Sequence, residues 1–296
     1  MTRETSGLVN GLIGVIIFSG SLPATRLAVA DFDPLFLTAA RAAIAGVLAL
    51  GLLLIFREKR PARGDLMSLA VISGGVIVGF PLLTALALRS ITSAHSIVYI
   101  GLLPLATAVF GVLRGGDRPR PAFWIFSLLG SSCVAGFALI QSDARLASGD
   151  ALMVGAILVC GLGYAEGAQL SRRLGGWQVI SWALVLSLPI MFAAAFLLFP
   201  SEKTSVSGQA LFGLAYVSLF SMLIGFIFWY RGLALGGVAS VGQLQLLQPF
   251  FGLALAGLLL GEAVSPAMLA VTVAVIGCVA GARRFSRPLV SPPQER

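Results

Sequence analysis

Ten stretches of predominantly apolar residues, each about twenty long and separated by short polar loops, run between Gly7 and Ala282. A helix rises about 1.5 Å per residue and the hydrocarbon core of a bilayer is about 30 Å thick, so each stretch has the length of a membrane-crossing helix. The pattern predicts spans at Gly7–Ala30, Pro34–Phe56, Leu66–Leu88, Ala94–Leu113, Pro121–Ile140, Ala151–Leu170, Trp177–Phe199, Gln209–Tyr230, Ala239–Leu260 and Ala267–Ala282. The expected fold is therefore an all-α polytopic membrane protein with ten transmembrane helices.

Composition agrees. The chain is 58% hydrophobic and 11% charged, whereas soluble domains carry about 25% charge. The longest polar loops, Arg57 to Asp65 and Gln141 to Asp150, are too short for a nucleotide-binding module of about fifty residues. An ATP-driven pump carried on this chain alone is excluded on that ground. The net charge of +8 sits at span ends, with no basic stripe among exposed aromatics, so it speaks for membrane topology and against nucleic acid. Fifteen Lys and Arg fall on the side of the termini and four on the other. By the positive-inside rule both termini are expected in the cytoplasm, in a multi-pass protein of the plasma (bacterial inner) membrane. Cys133, Cys160 and Cys278 lie dispersed in apolar runs, which suits neither a disulfide framework nor a metal cluster; no metal or cofactor is expected.

The chain also repeats. Displaced by 145 positions, Pro104 falls on Pro249, Ala94 on Ala239, Leu102 on Leu247, Leu113 on Leu258, Gly116 on Gly261 and Asp117 on Glu262. A mid-span proline and a closing acid thus recur together. Five spans per unit is an odd number, so the second unit, 150–283, is expected upside down relative to the first, 7–141. Inverted repeats place a solute site at their interface near the midplane and suit alternating access.

These residues resemble the drug/metabolite transporter superfamily, in its ten-helix EamA-like branch. The run from Phe18 through Gly20 and Pro23 to Arg26, the Pro34-to-Arg41 spacing, and the Gly116-Asp117 and Gly261-Glu262 pairs carry the likeness, which covers nearly the whole chain. Ser19 stands where relatives commonly have tryptophan, and Asp117 where they have glutamate. The resemblance implies export or exchange of small metabolites, often amino acids, with the aromatic-amino-acid exporters the nearest-looking group.

Polar side chains inside spans are costly unless paired or facing a cavity, so each is a candidate. Glu166 is the one acid well inside a span; it could carry a proton or meet a substrate ammonium, or simply bond Arg172 or Arg173. His95 and Tyr99 share a helix face leading to Pro104; His95 could equally be an interfacial residue. Gln245 and Gln248 precede Pro249 and could bond a zwitterion or a neighbouring helix. Tyr164 lies between Gly163 and Gly167, and Ser21 is at a matching depth in the first span. These seven are the candidate cavity residues, with Asn10 and Ser221 weaker. Pro23, Pro81, Pro104 and Pro249 are expected kinks or hinges. Arg41 is expected to form a structural ion pair with Asp31 or Asp33. Trp229 and Tyr230 are expected in an aromatic belt at a span end.

The reading is a carrier, exporter or facilitator, that moves a small solute through a cavity between the two units. Its expected partners are that solute, most readily an amino acid, and the bilayer, with a monomer as the expected unit. A multidrug or other metabolite exporter of the same fold is the alternative within the class. An intramembrane enzyme lacks its catalytic pairs here, and a channel lacks a filter sequence; the chain is not expected to be an enzyme.

Overall fold

The computed structural model describes residues 2–91, 96, 99–141, 148–199, 206–260 and 266–286, and all the regular structure among them is helical. The helices are α1 (Arg3–Ser19), α2 (Ser21–Ala28), α3 (Pro34–Ile55), α4 (Leu66–Ile72), α5 (Phe80–Ala87), α6 (Leu103–Gly115), α7 (Pro121–Gln141), α8 (Ser148–Leu174), α9 (Gly176–Leu197), α10 (Gly208–Tyr216), α11 (Gly225–Gly236), α12 (Val238–Gly242), α13 (Gln248–Leu260) and α14 (Pro266–Arg284). Two π-helical segments, Ser73–Gly79 and Val217–Ile224, join α4 to α5 and α10 to α11. A 3₁₀ turn, Gln243–Leu247, joins α12 to α13. Among the described residues, six helical stretches are long and apolar enough to cross a membrane: Arg3–Ala28, Pro34–Ile55, Arg63–Ala87, Gly149–Leu174, Gly176–Leu197 and Gly208–Gly236.

Local chemistry sets the helix ends. The Asp33 side chain accepts from the Leu35 amide at 2.8 Å, with Pro34 following it in the first turn, so α3 begins with both a capped and a proline-compatible start. Ser207 caps α10 in the same way, accepting from the Ala210 amide at 3.2 Å. Gly116 ends α6 at φ 66°, a left-handed conformation that glycine adopts without steric cost.

The internal repeat appears in the elements themselves. Displaced by 145 positions, Leu103–Gly115 coincides with Gln248–Leu260, Pro121 with Pro266, and Arg63, where the third span begins, with Gly208. The π-helical segment Ser73–Gly79 then falls inside Val217–Ile224. Packing follows the same exchange: α1 lies against α11, as α8 lies against α5, while α3 pairs with α9 and α7 with α14.

Glycines permit the closest of these approaches. A methyl group on Gly7 would stand 2.5 Å from the backbone nitrogen of Gly236, and one on Gly232 would stand 2.6 Å from that of Gly11. Small-residue packing of this kind draws helices together in lipid, where no hydrophobic difference does so. Trp229 and Tyr230 are fully buried, not in a surface belt, because α11 runs on to Gly236 and packs against α1 and α8. Many of the large exposed side chains are apolar, among them Ile55, Phe196, Leu197 and Val273, as lipid contact requires.

The four expected hinge prolines sit just after discontinuities and do not bend continuous helices. Pro104 and Pro249 are each the second residue of a helix, α6 and α13; Pro81 is the second residue of α5, directly after a π-helical segment; Pro23 lies just past the break at Gly20. At Pro104 the reason is that a proline in the first helical turn gives up an amide that has no intrahelical acceptor anyway, whereas at Pro81 the missing amide falls where the helix passes from π to α register. Pro189, which the sequence reading passed over, lies inside the unbroken α9.

Candidate functional site

Where α1 stops at Ser19 and α2 starts at Ser21, the Tyr216 hydroxyl donates to the Ile17 carbonyl at 2.8 Å. A side chain at position 20 would collide with that phenol, the hydroxyl oxygen lying 2.3 Å from an added Cβ. The break leaves Ser21 as the first residue of α2. A small cavity of about 50 Å³ opens there. It is walled by α1, α2 and α3 of the first unit and by both π-helical regions, with Val76, Phe80 and Pro81 on one side and Ser221 and Phe226 on the other.

Its chemistry is that of hydroxyls, aromatic faces and one cation. Ser21 Oγ donates to Ser221 Oγ at 2.8 Å, and Arg41 Nη2 donates to the same Ser221 oxygen at 3.2 Å. Arg41 is only 7% exposed, and its Nε has no hydrogen-bond partner. The Thr84 hydroxyl is likewise buried and unpartnered. Gln248 Nε2 donates at 3.4 Å to the Phe18 carbonyl, beside the break after Ser19. Phe18 and Phe226 pack with ring centroids 4.9 Å apart, and Tyr164 meets Phe226 at 5.9 Å and Trp229 at 5.5 Å.

Of the candidates read from the sequence, Ser21, Tyr164 and Gln248 line this cavity, as does Pro81. Glu166 does not. It lies two residues from Tyr164, on another face of α8. Its buried carboxylate pairs with Arg114 and accepts from Ser68 Oγ at 3.0 Å. The expected partners are engaged elsewhere: Arg172 lies 3.8 Å from Asp117, and Arg173 pairs with Asp65. Gln245 is buried behind the cavity wall, its amide beside the Tyr164 hydroxyl without well-formed hydrogen-bond geometry. Tyr99 precedes the break before α6 and packs outside the cavity with Ile91, Ile100 and Met153, beside Asp150. His95 lies outside the described residues.

Arg41 is the main correction. It forms no ion pair with Asp31 or Asp33, because both are held by partners from distant loops. Asp33 pairs with Arg89, and Asp31 accepts from the Ser207 amide at 2.8 Å and its hydroxyl at 2.6 Å. Ser19, Thr38, Thr107 and Ser218 each return a hydroxyl bond to their own helix four residues back, as serine and threonine in spans commonly do. Ser221 accepts from two other helices instead. That difference had no mark in the sequence; Thr84 and Arg41 were visible there as polar residues in apolar runs.

At the end of the bundle that holds Arg3 and Arg284, Asp117 ties the units together. Its carboxylate accepts from the Ala239 amide at 3.2 Å, at the start of α12. Burial pushes its carboxyl above the usual range, against the pull of the Ala239 amide and Arg172. Among the described residues no group of His, Cys, Asp and Glu is arranged to hold a metal ion.

Comparison with known proteins places this architecture. The model of the EamA-like transporter family matches twice, at residues 5–140 and 147–282. The chain is 69% identical to the uncharacterized transporter YdeK of Bacillus subtilis (strain 168), over 97% of this chain and 100% of that protein. It is 26% identical to the uncharacterized inner membrane transporter YedA of Escherichia coli (strain K12), over 75% of this chain and 72% of that one. It is 25% identical to a protein of Chlamydia trachomatis serovar D named S-adenosylmethionine/S-adenosylhomocysteine transporter, over 90% of this chain and 86% of that one. A solved crystal structure at 20% identity shares the fold, with a TM-score of 0.79 over 97% of this chain and the whole of the other. The family and these relatives are transporters and not enzymes, and the repeat seen in the helices is the repeat the family model finds twice: the chain belongs to the EamA-like transporter family, as a multi-pass membrane transporter.

Proposed function

We propose that this transporter is an alternating-access carrier for small metabolites, amino acids foremost, working as an exporter or facilitator through the cavity at Ser21, Tyr164 and Gln248. In this reading the chain crosses the bacterial inner membrane ten times, the second unit is inverted relative to the first, and both termini are cytoplasmic. One observation carries it: the cavity is walled by corresponding segments of both units, the two π-helical regions. An interface that equivalent parts of two repeats share can be exchanged between them, which is what alternating access requires. The Lys/Arg asymmetry supports the orientation, and the inner membrane in the YedA name supports the location. The amino-acid preference is supported by a pocket that offers hydroxyls and an amide for polar ends beside aromatic faces for a side chain.

The test is flux. Purified protein in liposomes, offered a panel of labelled amino acids with and without a pH gradient, is expected to exchange at least one of them. Tyr164→Ala and Gln248→Ala each remove a polar contact and are expected to slow that exchange by about three- to tenfold. Unaltered exchange in both variants removes this cavity from the transport path.

A further inference from the structure

We propose that Arg41 is the anchor for a carboxylate on the transported solute. The proposal deepens the carrier reading and rests on it for the solute's passage, though not for its binding. Among the described residues that line the cavity, Arg41 carries the only formal charge. A guanidinium buried away from water is costly unless its donors are met. Elsewhere in this bundle buried charge is paired, as Glu166 is with Arg114 and Asp65 with Arg173. Arg41 has one neutral acceptor, Ser221, and an Nε with none. Thr84, which lines the same cavity, adds a buried hydroxyl without a partner.

These groups describe the missing ligand. It must supply negative charge and at least two acceptor oxygens, which a carboxylate does and which a guanidinium fork matches in geometry. A phosphate monoester would bring close to two charges against one cation, and a cationic solute would meet Arg41 as a like charge. The aromatic faces of Phe18, Phe226 and Tyr164 adjoin this polar corner and suit an apolar remainder. The predicted solute class is a small organic acid with one carboxylate and an apolar or aromatic body, amino acids included through their carboxylate and not their ammonium.

Four probes of one shape separate the possibilities: 3-phenylpropanoate, phenylalanine, 2-phenylethylamine and phenyl phosphate. Each is titrated against the full-length detergent-purified chain, with thermal stabilisation as the readout. The two carboxylates are expected to raise Tm, with 2-phenylethylamine without effect and phenyl phosphate weaker. Arg41→Gln is expected to weaken both carboxylates by about tenfold or more, and Arg41→Lys, which keeps the charge, by less. Should Arg41→Gln not purify, Arg41→Lys and Ser221→Ala carry the comparison, each weakening the carboxylates relative to wild type. Stabilisation by the amine, tighter binding of the phosphate, no carboxylate effect at about 10 mM, or variants that bind like wild type overturns the proposal. The two readings fail separately. Arg41-dependent binding without flux in vesicles would sink the carrier and leave the anchor, whereas flux indifferent to Arg41 would sink the anchor and leave the carrier.

Discussion

Arg41 and Glu166 are both buried charges, and they are satisfied to opposite degrees. Glu166 has a cation and a hydroxyl, so removing its partner should be felt strongly. Arg114→Ala leaves a buried carboxylate unpaired and is expected to cost about 2 kcal/mol, discounted because the Arg114 side chain is itself half exposed, while the double variant Arg114→Ala with Glu166→Gln recovers most of the loss. Denaturation of the four species in a double-mutant cycle checks this; additive effects would refute the coupling. For Arg41 the expectation reverses. Arg41→Met replaces an under-bonded cation with an apolar side chain of similar length and should raise the Tm of the unliganded protein, a site bought at the expense of stability. At the surface, the hydrogen bonds from Ser207 hold the Asp31 carboxyl below its ordinary value. That contribution is present above the ordinary carboxylate pKa and fades as pH falls through the lowered one, so the stability difference between wild type and Ser207→Ala should vanish in acid. Three of the cavity candidates were legible as polar residues in apolar runs. Arg41's role was not, because Asp31 and Asp33 stand close to it in the chain, and only the fold shows them taken by Ser207 and Arg89 from loops far along the sequence.

At the scale of elements, hydropathy located the six stretches that are long enough to cross a membrane among the described residues, with ends displaced by at most about six residues, as where the run expected to end at Tyr230 continues to Gly236, since burial in lipid demands a continuous apolar run whatever the packing. It could not locate the breaks. The π-helical segments at Ser73–Gly79 and Val217–Ile224 and the 3₁₀ turn at Gln243–Leu247 change hydrogen-bond register without changing polarity. Nor did the spacing of glycines say which of them meet. Gly232 faces Gly11 across α1 and α11, while Gly51 on α3 has open space around it. Gly232→Ala is therefore expected to destabilise by about 1–3 kcal/mol through overpacking, and Gly51→Ala to be neutral or stabilising by up to about 1 kcal/mol through helix propensity. Thermal melts of the two variants side by side decide it; equal effects would mean that α1 and α11 do not approach as described.

For the molecule as a whole, the Asp117 carboxylate on the Ala239 amide joins the two units at the end that holds Arg3 and Arg284. If the units rock against each other in transport, a tether there should arrest them. With the native cysteines replaced, Asp117→Cys and Ala239→Cys joined by a short thiol crosslinker are expected to abolish flux while leaving the carboxylate-induced rise in Tm intact; undiminished flux would place the moving parts elsewhere.

The pairing of α1 and α2 with the Gly208–Gly236 stretch bears on how the chain is made. Ile17 finds its Tyr216 partner 199 residues later, and Ser21 finds Ser221 after 200. The ribosome delivers the opening helix long before the segment that completes its contacts exists, so the opening helix must wait in the bilayer unfinished. A gene cut between residues 142 and 147 should accordingly yield two fragments that are degraded when made singly and that accumulate when made together in the same cell.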